Sequence, residues 1–365
     1  MVAISKIFGF HFHQTLEETS VSTWRAVSAG FRNCLFSWKA RDLPTLSSRV
    51  FVLKIFALSK LWYVAQVLPL PASTARVVKA LMGQFVWRGR LERLALDEIH
   101  SPPDKGGLGL PCLEARCEAL LLTHTCRMLA VHSSSRRHLA YWMGLSLRNL
   151  LPDLARGPNA ELVPNIFKKI VNVFKHCAGE SIFIENLSSV KCKVIYSDLT
   201  NSLPPPKIEN KINRKWERVW KRVASKWLPT MQCDALFVVL HDIYPTNYRL
   251  FRMNLHPTGF CDQCREDDTV VHKFSNCYLS STLWLFVKNL IENMTDKVFD
   301  SLSLFYLDFD KTNSDKEIIF TISFVYNFVI NCLKNNETPS LREFVGSLRH
   351  AVMKNSIVIR LNTYL

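Results

Sequence analysis

The sequence lacks the short motifs that mark the commonest enzyme sites. It has no glycine-rich loop that would cradle a phosphate, no nucleophile elbow and no H-E-x-x-H pair. Asp308 and Asp310 match a two-metal carboxylate pair in residue type, but they stand alone in a late loop, where capping a turn is the expected role. No catalytic residue is therefore predicted within these 365 residues.

Long apolar runs are missing as well. The longest uncharged stretch, Ile318 to Leu333, has sixteen residues and includes polar side chains. It falls short of the roughly 20 apolar residues of a spanning helix, so it is predicted to be a buried helix. The N-terminus has no basic segment followed by an apolar core and a cleavage site, and no signal peptide is predicted. We expect an intracellular protein, nuclear or cytoplasmic, with no membrane partner.

Acidic residues are few relative to basic ones. The chain has 46 Lys and Arg against 31 Asp and Glu, a formal charge of +15, while 48% of its residues are hydrophobic, enough for a packed core. Such a charge favours a polyanionic partner, either nucleic acid or an anionic membrane surface. A soluble basic protein without such a partner is the alternative. In a reducing compartment the 11 cysteines are expected to be thiols or metal ligands.

Apolar periodicity predicts a mainly α fold with a short N-terminal β segment. The segment at 4–13 would leave an open strand edge, which suggests that something preceding it has been lost. The predicted divisions are a β remnant at 1–15, a helical region at 16–130, a connector at 131–206 that ends in the stiff run Pro204 to Pro206, a basic helix with a Cys/His domain at 207–295, and a C-terminal helical region at 296–365.

The sharpest local signal is Cys261-x2-Cys264-x7-His272-x4-Cys277. Two thiolates three residues apart in a turn can bind one ion, and the later pair fits the return of a knuckle. Four protein ligands leave no open coordination position, so the spacing predicts a structural zinc site. A chance grouping is the alternative, although free core cysteines are expected in more apolar stretches.

A second set of possible ligands, Cys112, Cys117, His124 and Cys126, is rejected as a metal site. Three of them fall on one predicted helix, Leu113 to Leu129, where His124 and Cys126 point in nearly opposite directions. They are predicted to be core or groove residues.

The stretch Lys211 to Trp227 predicts an amphipathic helix. A tryptophan-rich stripe would dock on the protein and leave the opposite face exposed. That face is predicted to contact nucleic-acid phosphates, with a solvated or membrane-surface face as the alternative. Its cations are Lys211, Arg214, Lys215, Arg218, Lys221 and Arg222, with Lys226 at the margin.

Five segments in order resemble the C-terminal half of non-LTR (LINE-type) retrotransposon reverse transcriptases. They are Lys6-Ile7-Phe8-Gly9-Phe10, similar to the last palm hairpin; residues 38–49, similar to the W-x-x-R-x-L-S-L-x-G-R start of the thumb; residues 85–89, similar to the F-x-W-x-G helix end; residues 105–111, similar to the G-G-L-G-L/V-P turn; and the Cys/His cluster, similar to the reverse-transcriptase zinc-binding domain. Ser48 replaces the usual glycine.

The resemblance implies a helical thumb-like region followed by a small zinc knuckle with flanking helices. It also implies RNA or DNA partners and a duplex near Arg41, Arg49, Lys54, Lys60, Arg88 and Arg90. The palm carboxylates and the Y-x-D-D turn are not in this sequence, and polymerisation needs two metal ions held by those carboxylates. The chain is therefore not expected to be an enzyme on its own.

Three functions follow as hypotheses. The first is a truncated element that binds nucleic acid without catalysis. The second is a fragment of an active RNA-directed DNA polymerase whose palm is encoded upstream or supplied in trans; an intact upstream Y-x-D-D reading frame favours it, and stop codons favour the first. The third is a host-adopted interaction protein that binds a protein through the tryptophan-rich helix, and competition by RNA would argue against it.

Overall fold

The computed structural model describes residues 5–89, 94–131, 134–177, 187–201 and 203–365, and it is mainly helical, as predicted. Strands β1 (Ser5–Ile7) and β2 (Phe10–Phe12) pair antiparallel near the N-terminus. The predicted N-terminal β segment is thus a hairpin. It turns at Phe8 and Gly9, which have φ values of 51° and 85°.

The α-helices of the described residues include those predicted at 113–129 and 318–333. In chain order they are α1 (Leu16–Lys39), α2 (Leu46–Val52), α3 (Ser59–Ala65), α4 (Ala72–Trp87), α5 (Leu96–His100), α6 (Leu113–Ala130), α7 (Ser134–Met143), α8 (Asn165–Cys177), α9 (Cys192–Thr200), α10 (Lys207–Lys211), α11 (Trp216–Val223), α12 (Thr230–Leu240), α13 (Asn247–Arg252), α14 (Ser281–Thr295), α15 (Ser301–Phe305), α16 (Asp315–Lys334) and α17 (Leu341–Met353).

The chain divides into two compact units. Unit 1 comprises Met1–Leu43, Arg49–Val86 and Leu110–Leu203, and unit 2 comprises Pro44–Ser48, Trp87–Gly109 and Pro204–Leu365. The last change of unit falls at the triple proline, where a stiff segment without backbone donors favours separate packing on either side.

Unit 1 buries apolar side chains from α6, α7, α8 and α9 in one cluster. Helix α8 contributes Ile170, Val171 and Phe174, whose spacing puts them on one face. Cys126 lies in the same cluster, and burial raises the pKa of its thiol to about 12. Cys117 is also buried. The prediction that these two cysteines belong to the core is confirmed.

The helical stretch 46–65 contains a π-helical turn at Leu53–Ala57, between α2 and α3. Just before it, Arg49 is 1% exposed. Its Nε donates to the Leu43 carbonyl at 2.9 Å, and one terminal nitrogen donates to the Val86 carbonyl at 2.6 Å. The guanidinium is buried because it donates to backbone carbonyls inside the fold. Arg49 therefore lacks the exposure that the predicted contact with a duplex would require.

Unit 2 packs α16 against α12 and α14. Helix α16 is long and apolar enough to cross a membrane by length and composition alone, but 72% of its apolar window is buried in the rest of the chain. Ile318, Ile322, Val325 and Val329 are each at most 1% exposed. The prediction of a buried helix is confirmed.

The glycine-rich turn after α5 also belongs to unit 2. Gly106 has a left-handed φ of 79°, and a Cβ placed on it would lie 2.6 Å from the Trp220 ring. Trp220 is 1% exposed, stacks on His241 with ring centroids 4.8 Å apart, and donates its ring N–H to Glu209 at 2.7 Å. A side chain at position 106 would displace this ring, so the sequence needs glycine there.

Candidate metal centre and its surroundings

The Cys/His segment forms a tight loop and a return turn in unit 2, and we call this segment, residues 260–277, the knuckle. An isolated bridge joins Phe260 and Asp267. Within it, the Cys261 N–H donates to the Glu266 carbonyl at 2.7 Å, and the Arg265 N–H donates back to the Cys261 carbonyl at 2.9 Å. Arg265 has a φ of 62°, the left-handed conformation that tightens the loop enough to return the chain.

Of the remaining two candidate ligands, His272 begins a π-helical turn, His272–Asn276, and Cys277 follows its end. The Thr269 hydroxyl accepts from the His272 N–H at 3.1 Å at the start of this turn. The Cys277 N–H donates to the His272 carbonyl at 2.7 Å. The wider π-turn places the side chains of His272 and Cys277 close together although they are five residues apart in the sequence.

The four predicted ligands converge. One ligand atom from each of Cys261, Cys264, His272 and Cys277 lies within 4.8 Å of the others. The Cys277 sulfur is 3.8 Å from each of the other two sulfurs. A tetrahedral zinc with Zn–S bonds of about 2.3 Å would hold two sulfurs about 3.8 Å apart. This group could therefore hold one metal ion, and its geometry is compatible with zinc.

The histidine ring is oriented as a metal ligand would be. His272 is 4% exposed, and its Nδ1 lies 3.1 Å from a Glu266 carboxylate oxygen. Its Nε2 is buried with no hydrogen-bond partner. A carboxylate on one ring nitrogen fixes the tautomer that leaves the other nitrogen as a lone-pair donor. The donor set thus fits a soft or borderline cation.

The thiols favour a bound cation for electrostatic reasons. Burial opposes ionisation of Cys261, but hydrogen bonds from the Cys264 and Gln263 N–H groups and from the Cys277 thiol outweigh it and lower the pKa to about 7. Burial and the two neighbouring thiols raise the pKa of Cys277 to about 12. A cation between Cys261 and Cys277 would favour the thiolate form of both side chains.

The acidic segment Glu266 to Asp268 lies between the two pairs of candidate ligands, and the sequence did not indicate that part of it is buried. Asp268 is 0% exposed and accepts the Asn247 N–H at 2.7 Å and the Lys273 ammonium at 2.9 Å. It therefore ties the knuckle to the start of α13. This carboxylate satisfies backbone and side-chain donors inside the fold.

A cationic pocket of about 350 Å³ lies beside the knuckle. Three of its lining residues are cations, Lys211, Arg249 and Arg252, and its carboxylate is Asp242. Burial raises the pKa of Asp242, and the three cations oppose that rise. Hydroxyls line it as well, from Thr246, Tyr248 and Thr269. The Tyr248 ring also contacts the knuckle, 3.2 Å from where a Cβ on Gly259 would lie.

Arg249 and Arg252 were missed by the sequence analysis. They stand in the six-residue helix α13, which is too short to give a periodic signal. Their position shortly before Cys261 in the sequence could have indicated them, because cations there would lie close to a nucleic acid bound beside the knuckle.

The predicted basic helix is shorter than the sequence indicated. Residues 212–215 interrupt it, so Lys211 ends α10, while Arg214 and Lys215 lie between α10 and α11. Trp216, Val219 and Trp220 are buried in α11, as predicted. Because the interruption changes the direction of the chain, the six cations do not share one helical face.

The cations of α11 differ in exposure. Arg222 is 7% exposed and donates to the Leu307 carbonyl at 2.6 Å and to the Phe309 carbonyl at 2.9 Å. Its other terminal nitrogen pairs with Asp315 at 3.1 Å. The predicted exposure of Arg222 is wrong, because the tryptophan face and this cation are buried on two sides of one short helix.

The other cations of this region remain at or near the surface. Arg218 pairs with the exposed Asp310 at 2.9 Å, and Lys221 pairs with Glu217 at 2.7 Å. Asp308 accepts the Lys215 N–H at 3.3 Å. Asp308 and Asp310 thus bind the chain's own cations and N–H groups, and among the residues that the structure describes neither belongs to a group suited to a metal ion.

The other residues expected near a nucleic-acid duplex lie at or near the surface where the structure describes them. Arg41, Lys54 and Lys60 are exposed in unit 1, and Arg88 is half-buried in unit 2 with a φ of 46°. Arg90 lies outside the described residues.

A second grouping of possible ligands occurs in unit 1, at Glu118, His176 and Cys177. His176 Nδ1 lies 3.0 Å from a Glu118 oxygen, and the histidine is largely exposed. An exposed acid–histidine pair is common without any ion, so the Cys/His knuckle is the stronger metal centre.

The chain was also compared with known proteins. It matches none of the family models and none of the curated proteins. Interpretation of the site therefore rests on its own residues.

Proposed function

We propose that this chain is the nucleic-acid-binding C-terminal region of a LINE-type reverse transcriptase, stabilised by one structural zinc ion. The cationic pocket beside the Cys/His centre is the observation that carries the proposal. Zinc would be held by Cys261, Cys264 and Cys277 through sulfur and by His272 through Nε2. With four protein ligands it supplies folding free energy and no catalysis.

Nucleic acid is the partner that best fits the charges. The chain carries +15 overall, and the pocket presents three cations against one carboxylate, with hydroxyls between them. A phosphate accepts hydrogen bonds from guanidinium, ammonium and hydroxyl groups together. Contacts of this kind position a backbone and carry no base information, so we propose binding of RNA and DNA with little sequence preference.

The family assignment is part of the proposal and is supported by the ordered motifs. The glycine-rich turn, one of the five segments of the resemblance, packs directly on the tryptophan-rich helix at Gly106 and Trp220. Buried Arg49, from the thumb-like start, donates to the Val86 carbonyl in the F-x-W segment. The contact between Arg49 and Val86 joins two of the five segments, which supports the proposal that they belong to one structural unit. The carboxylates of a polymerase site are not in the sequence, and we assign the chain no polymerase activity of its own.

Charge reversal in the pocket tests the proposal. Lys211→Glu with Arg252→Glu should weaken binding of a labelled RNA or DNA oligonucleotide and reduce the salt dependence of log K by roughly 0.7–0.9 for each phosphate that is no longer neutralised. Both side chains are exposed, so the fold should survive. Fluorescence anisotropy across a salt series gives both quantities.

The matched control makes the same charge change elsewhere in unit 2. Arg342→Glu with Lys354→Glu reverses two exposed cations in and just after α17. The control should lower affinity only slightly, through the smaller net charge. Equal affinity and salt slope for the pocket variant and the wild-type chain would reject the pocket as a phosphate site.

A further inference from the structure

The π-helical turn in unit 1 creates an exposed aromatic surface. Phe51, Ile55 and Phe56 are 58%, 51% and 41% exposed. In an α-helix positions 51 and 56 would diverge, but the extra residue per turn of a π-helix brings them onto one side, with ring centroids 6.5 Å apart. Apolar side chains of this size are normally buried, and a contiguous exposed group marks an interaction surface.

The surface extends onto α1. Trp38 lies with its ring centroid 4.9 Å from that of Phe56, and the Arg41 guanidinium carbon lies 4.4 Å above the Trp38 ring. Cys34 contacts the same turn, with its sulfur 3.5 Å from the Phe56 carbonyl. Three aromatic rings and one guanidinium plane are therefore continuous. We call this group, Trp38, Arg41, Phe51 and Phe56, the aromatic platform.

Positive charge surrounds the platform. Residues 31–60 contain six cations, of which Arg49 is buried, and one acidic residue, Asp42. Lys39, Lys54 and Lys60 are exposed in this segment. A strand with unpaired bases offers both a π-face and a phosphate at each nucleotide, which matches aromatic rings that lie beside cations.

We propose that the aromatic platform stacks unpaired bases of a single-stranded RNA or DNA segment while the neighbouring lysines follow its phosphates. The inference rests on the proposed function, since it names the form of nucleic acid that unit 1 would take. A duplex does not expose its base faces to such a surface, so the platform should prefer single strands.

An oligonucleotide without bases separates stacking from charge. The full chain would be titrated into labelled oligo-dT and into an abasic strand of the same length, at one salt concentration. Phe51→Ala with Phe56→Ala should weaken oligo-dT binding by roughly tenfold, about the contribution of one stacked base, and should leave the abasic strand unaffected. The exposed positions allow folding, which an unchanged thermal transition would verify.

Phe36→Ala is the matched control. Phe36 is 76% exposed on α1, but it is two residues from both Cys34 and Trp38, which face the π-turn, so it points to the opposite side of the helix. Its removal should leave both affinities unchanged. An equal weakening in Phe36→Ala would show that the effect does not belong to this surface and would overturn the inference.

The remaining outcomes are also decisive. An equal weakening for oligo-dT and the abasic strand would overturn stacking, as would a concentration-dependent dimer that the double variant abolishes while oligo-dT binding stays intact. If the wild-type chain binds neither strand, the proposed function itself fails. If it binds both strands and the double variant binds like the wild type, only the platform fails.

Discussion

Removal of metal from the purified chain is expected to unfold the knuckle and lower the thermal transition of unit 2. Structural zinc in small Cys/His sites contributes an apparent free energy of about 10–16 kcal/mol at neutral pH, so this should be the largest single effect. Cys261→Ser and His272→Ala should each lose the metal. Elemental analysis and differential scanning calorimetry, with and without chelator, measure the two consequences.

Cys233→Ser is the control for removal of a thiol. Cys233 is half-buried in unit 2, and its sulfur lies 3.6 Å from the Leu228 carbonyl, a contact that a serine hydroxyl can replace. This variant should keep the metal and most of the stability. A metal-free preparation of the wild-type chain, with the same transition before and after chelation, would contradict the assignment.

Reversal of Arg222 is expected to destabilise unit 2 by about 3–5 kcal/mol, the range for breaking a buried ion pair. In Arg222→Glu a carboxylate would face the carbonyl oxygens of Leu307 and Phe309 and the carboxylate of Asp315. Each of these is an acceptor, and none can donate to the new side chain. Chemical denaturation monitored by circular dichroism measures the change.

Arg218→Glu provides the comparison one turn away on the same helix. The Arg218 side chain is 35% exposed, and its partner Asp310 is 90% exposed. Reversal of such a surface pair should cost no more than about 1 kcal/mol. Similar destabilisation in the two variants would show that Arg222 is not the buried anchor described above.

The sequence predicted the elements that depend on local pattern. The bounds of α6 and α16 follow from apolar periodicity, and the Cys/His ligands converge because their spacing matches a knuckle and a return turn. Gly106 was recognised as part of a turn, although its true constraint, the buried Trp220 ring beside it, is a long-range contact that sequence spacing does not reveal.

The errors have a common physical origin. A helical wheel assumes an unbroken helix with one buried face, but α11 has eight residues and is covered on two sides. Arg49 was expected near a ligand from the resemblance and Arg222 from the helical wheel, yet each donates to backbone carbonyls that only the folded chain brings together. The π-turns at 53–57 and 272–276 were not predicted, because their side-chain pattern resembles that of an ordinary helix.

Return of zinc to the chelated chain tests the central claim most directly, since it joins the metal centre to nucleic-acid binding. The anisotropy of a labelled oligonucleotide would be followed during stepwise addition of zinc to the metal-free protein. We predict that binding recovers with a break at about one zinc per chain, because the metal restores the knuckle and with it the pocket of Lys211, Arg249 and Arg252. Equally tight binding by the metal-free chain, or no binding at any zinc concentration, would contradict the account.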